Sequence, residues 1–95
     1  MDALDRIAAI YCAIYVESVR VDLRISANSG TDGSPAGYTV MVQGVGEHAG
    51  EAGPDLYCDG VHATPSVAVA TLLRALETRL VEHAARINAL AIRGA

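Results

Sequence analysis

Residues 64–92 read TPSVAVATLLRALETRLVEHAARINALAI. Val69, Leu73, Leu76, Leu80, His83, Ile87 and Leu90 recur there at alternating spacings of four and three, which sets all seven on one stripe of a helix. Thr64 offers a hydroxyl cap, Pro65 fits the first helical position, and Gly94 is the expected stop. Such a helix would run to ~42 Å at 1.5 Å per residue. Strands of the length found upstream span only about 20–27 Å. Part of the stripe must therefore overhang any sheet it packs on, to be covered by a second helix or by another molecule.

Upstream of this helix, Leu56 to Asp59 reads as a short edge strand, where brevity and charge discourage unwanted pairing. Tyr38 to Gln43 is a second strand with Tyr38, Val40 and Val42 on one face. Val19, Val21, Leu23 and Ile25 alternate with Arg20, Asp22, Arg24 and Ser26, the pattern of a half-buried strand. Ala27 to Gly37, with Asn28, Gly30, Gly33 and Pro35, forms a long hairpin loop. Gly44 to Pro54 carries four glycines and is expected to be a mobile connection.

At the start, Asp2 can cap a helix that carries Leu4, Ile7, Tyr11 and Ile14 on one stripe. Ile and Tyr favour strands, but Ala8, Ala9 and Ala13 turn the run to helix. Ile7 to Val16 is apolar all round, so cover on more than one side is expected. The predicted fold is a single α+β domain over residues 1–95: helix, three-stranded antiparallel sheet, long helix, with both helices on one face of the sheet.

Ninety-five residues suffice for a core without staples. The apolar fraction is 52% with no Trp and no Phe, which predicts a thin core of alanine and branched residues. All seven basic residues are Arg, a bias that fits a GC-rich bacterial or phage genome. The longest apolar run is ten residues, Ile7 to Val16, against roughly twenty for a membrane span. Met1 to Asp5 is acidic where a secretory signal would be basic. Cys12 and Cys58 then read as buried thiols in a reducing bacterial cytoplasm.

Net charge is −4, distributed unevenly. Residues 25–73 hold Asp32, Glu47, Glu51, Asp55 and Asp59 and no Arg, while residues 74–95 carry four Arg against two Glu. An acidic middle disfavours direct nucleic-acid binding, which depends on neutralising phosphates.

Glu47, His48, Glu51, Asp55, Asp59 and His62 are the richest group of potential ligands. The two histidines lie fourteen apart, without the close spacing a metal site prefers, and the acids are too sparse for a calcium loop. A solvated acidic loop is expected, with no metal and no cofactor. His83 stands in the helical stripe where Leu would be usual, as an interface residue. Cys12 sits in the most apolar run and Cys58 beside Asp59, both unfavourable to a thiolate. Gly44-Val45-Gly46 lacks the lysine and following helix of a phosphate loop. No catalytic residues are assigned, and an enzyme is not expected.

The element order resembles that of the double-stranded-RNA-binding domain. That family holds phosphates with lysines at the start of its last helix, where this chain has Thr64-Pro65-Ser66-Val67-Ala68-Val69-Ala70 and no cation. The topology carries over and the RNA-binding residues do not. The basic-free acidic stretch Asp32 to Asp59, its glycine-rich loop, the short length and the absence of an enzyme signature are similar to small phage and mobile-element proteins of the anti-CRISPR type. That resemblance implies an inhibitor whose Asp32, Glu47, Glu51, Asp55 and Asp59 occlude the basic surface of a nucleic-acid-handling complex, a CRISPR effector among them. The alternative is a self-associating accessory module, a homodimer built on His83, Ile87 and Leu90.

Overall fold

The computed structural model describes residues 2–31, 33, 35–48 and 50–94, with side chains described as far as Ala91. Helix α1 spans Ala3–Ile14, strands β1 Arg20–Asn28, β2 Gly37–Val45 and β3 Leu56–Tyr57, and helix α2 Pro65–Gly94. The predicted order and types hold. Asp2 caps α1, its carboxylate accepting from the Asp5 amide at 2.8 Å. Thr64 Oγ1 caps α2 by accepting from the Val67 amide at 3.2 Å.

The strands pair antiparallel in the order β1-β2-β3. Val21 to Ile25 lie opposite Gly44 to Val40, and Met41 and Val42 opposite Tyr57 and Leu56. Both long strands reach further than their apolar alternation suggested, β1 to Asn28 and β2 to the buried Val45, because the antiparallel ladder continues past the alternating apolar positions. Beyond Tyr57, the Cys58 amide still donates to the Val40 carbonyl at 2.9 Å, and His62 bridges Tyr38.

Ile7 and Tyr11 of α1, Val40 and Val42 of β2, Cys58, and Ala68, Leu72 and Leu76 of α2 form one buried cluster. Both helices therefore share the sheet face that carries Val40 and Val42, as expected. The helices also meet each other, Arg6 bonding Glu77 at 2.9 Å.

One expectation changes. The buried row of α2 is Ala68, Leu72 and Leu76, while Val69, Leu73 and Leu80 sit half-buried beside it. A helix wedged between β2 and α1 needs a band wider than one stripe, and the small Ala68 allows close approach to the sheet. Helix α1 is covered on more than one side, as expected, by α2 and by the sheet: Ile7 and Tyr11 are buried and Ala8, Ile10, Cys12 and Ile14 half-buried, while Ala9 and Ala13 are exposed and Val16 lies past its end in solvent.

Candidate interaction surfaces

Helix α2 starts near the end of β2 where His62 bridges Tyr38. Further along, Leu72, Leu76 and Arg79 lie beside Tyr57, Leu56 and Asp55, so the helix advances toward the Val45 end of β2. Thirty residues make it about 45 Å long, and the molecule measures 56 × 29 × 27 Å. The overhang is real. Past Leu80, every residue to Ala91 is exposed except the half-buried His83. Val81 is 70% exposed, Ile87 52% and Leu90 67%. At its root, a groove of about 310 Å³ runs between the helices, lined by Arg6, Ala9, Ile10, Glu77, Leu80 and Val81.

The glycine-rich segment after β2 is held, contrary to the mobile connection expected. The Gly46 amide donates to the Gly50 carbonyl at 2.7 Å, and the Ala52 amide to the Gly44 carbonyl at 3.1 Å. Ser18 Oγ donates to the Ala52 carbonyl, and the Tyr11 hydroxyl to the Pro54 carbonyl at 2.6 Å. The glycines serve close approach: a Cβ on Gly44 would overlap Ser18 Oγ and the Tyr11 ring, and one on Gly53 the Tyr11 hydroxyl. Glycine content alone reads as mobility, whereas here it lets backbone pack on a buried tyrosine.

This clasp divides the predicted acidic set. Glu47 and Glu51 are exposed on the loop, and Asp55 follows it. Gln43 Nε2 donates to Glu51 Oε1 at 2.8 Å. Asp59 lies beyond β3, toward the opposite end of the sheet, where its carbonyl is 2.7 Å from His62 Nε2. Asp32 falls outside the described residues. The tertiary fold also brings cations to the acids: Asp55 shares a depression with Arg79, and Glu51 one with Arg20. Among the described residues, no three His, Cys, Asp or Glu converge as a metal site would require.

Cys12 is half-buried and Cys58 buried, and neither is in a disulfide. Burial pushes the Cys12 thiol above its ordinary value, away from the reactive thiolate. The Cys58 thiol donates to the Gly60 carbonyl at 3.6 Å, and its sulfur accepts from the Val40 amide. Both sulfurs are packing groups.

No family model, curated protein or solved structure matches this chain. Among the described residues no helix is long and apolar enough to cross a membrane. The surfaces themselves are the basis for a functional reading.

Proposed function

We propose that this protein is a non-enzymatic association module whose long helix pairs with that of a second copy. The observation that carries this is the run of α2 beyond Leu80, which leaves Val81, Ile87 and Leu90 in water. Antiparallel, isologous pairing would set Leu80 against Leu90 and His83 against Ile87 of the other copy, closing the stripe in both chains at once. Two-fold pairing of this kind is the commonest way soluble chains associate. Ile87→Glu should leave the monomer fold intact, since an exposed substitution usually changes stability by no more than about 0.5 kcal/mol. It should lower the mass seen by light scattering at tens of micromolar or above. A mass equal to that of the unmodified chain would overturn the proposal.

A second reading keeps the anti-CRISPR-like inhibitor, favoured by the exposure of Glu47, Glu51 and Asp55 at one end of the sheet. The partner would be a basic protein or nucleoprotein complex, and charge would steer encounter rather than hold the bound state. Replacing the three acids by Gln and Asn should then slow association with a basic effector complex and flatten its salt dependence, with stability unchanged. Association at the original rate in low salt would exclude this use of the acids.

A further inference from the structure

We propose that the outer edge of β1 is a second self-association surface, pairing antiparallel with β1 of another copy about Leu23. This is separate from the helix seam and does not depend on it.

The backbone directions come from the ladder. Tyr38, Val40 and Gly44 of β2 direct their main-chain bonds away from β1, to His62, Cys58 and Ala52. Alternation then assigns Thr39, Met41, Gln43 and Val45 to β1, opposite Ser26, Arg24, Asp22 and Arg20. Among the described residues, Val21, Leu23, Ile25 and Ala27 are left with N–H and C=O groups pointing outward along an edge strand. The strand is nine residues long and free of proline, whereas edges are normally short, interrupted or covered. Its side chains are equally unfinished: Val21 and Leu23 are only half-buried against the core, and Ile25, on the same face, is 52% exposed.

A self-complementary charge pattern points to a second copy as the occupant, and charge together with ladder length selects the register. With Leu23 opposite Leu23, Val21 meets Ile25 in both directions, through hydrogen-bonded pairs. Asp22 then meets Arg24 twice, at non-hydrogen-bonded positions where side chains approach closest. Centring on Asp22 would oppose Asp22 to itself and Arg20 to Arg24. Centring on Arg24 would oppose two arginines; centring on Val21 would set Arg20 against Asp22 but leave Ile25 and Ala27 outside the ladder, and centring on Ile25 would bring no opposite charges together. Charges on an edge ordinarily deter pairing, but these alternate in sign, so they deter every centre from Asp22 to Arg24 except Leu23. The product is a continuous six-stranded sheet with all four helices on one face. A chain carrying this interface and the helix seam, both isologous, would build assemblies longer than a dimer.

The test uses the full chain carrying Ile87→Glu, which disables the helix seam. At about 100 µM this protein should sediment as a dimer. Its Val21, Leu23 and Ile25 amides should exchange more slowly as concentration rises. Adding Asp22→Arg or Arg24→Asp should raise the dissociation constant at least about tenfold. Mixing those two variants restores opposite charges and should restore the dimer. A monomeric Ile87→Glu protein, charge variants that dimerise unchanged, or amides with concentration-independent exchange would each overturn the edge proposal. If the unmodified chain dimerises and Ile87→Glu alone abolishes this, the helix reading stands and the edge falls. If Ile87→Glu leaves the mass unchanged and the charge variants abolish association, the reverse holds.

Discussion

Tyr11→Ala should destabilise the domain by about 3–5 kcal/mol, the cost of deleting a large buried aromatic ring. Tyr11 is fully buried, its ring tilted against Tyr15 at 4.7 Å between centroids. Gly44 and Gly53 are shaped around it, and its hydroxyl holds Pro54. Removal therefore empties part of the core and releases the loop in one step. Tyr11→Phe keeps the ring and loses the hydroxyl bond, so it should cost only about 0.5–1.5 kcal/mol. Urea unfolding measures both as midpoint shifts at constant slope. A Tyr11→Ala loss below about 1 kcal/mol, ordinary for any substitution, would show that the ring does not hold the clasp. Burial raises the Tyr11 hydroxyl above its ordinary value of 10.0, and Asp55 acts in the same direction. The folded state thus binds this proton more tightly than the unfolded chain does. The associated stability is intact below pH 10.0 and is lost as pH rises through the folded value. Tyr11→Phe should remove that alkaline loss.

Leu76→Ala is expected to cost about 2–5 kcal/mol. Leu76 has no exposed surface and lies in the cluster where α1, β2 and α2 meet. Ile87→Ala, eleven residues further along the same stripe, should change monomer stability by no more than about 0.5 kcal/mol. The contrast marks where the helix stops being core. A Leu76→Ala loss near that of Ile87→Ala would mean that α2 is not anchored by this row.

The elements were legible because each signal was local. Alternation from Val19 to Ile25 identified a strand, Thr64-Pro65 opened a helix, and Ala8, Ala9 and Ala13 turned an ambiguous apolar run to helix. The row of α2 that faces the sheet was not legible. Ala68 and Leu72 fall outside the four-three stripe, and their burial depends on the angle at which α2 meets both β2 and α1. The same holds for the acids. Close in sequence, Glu47 and Asp59 are carried apart by β3, while Arg79 and Arg20, distant in sequence, arrive beside Asp55 and Glu51.

The sequence by itself determined the element order, the faces of the two long strands, and a final helix too long for its sheet. Periodicity, capping and the rise per residue are properties of the local chain. Only the tertiary structure decided that the glycines after β2 clasp Tyr11, that Arg6 meets Glu77, and that β1, with its alternating charges, lies at the edge of the sheet. Each of those depends on which strand lies at the centre of the sheet and where the helices cross it. Residues far apart in the chain share those positions, and no local pattern records them.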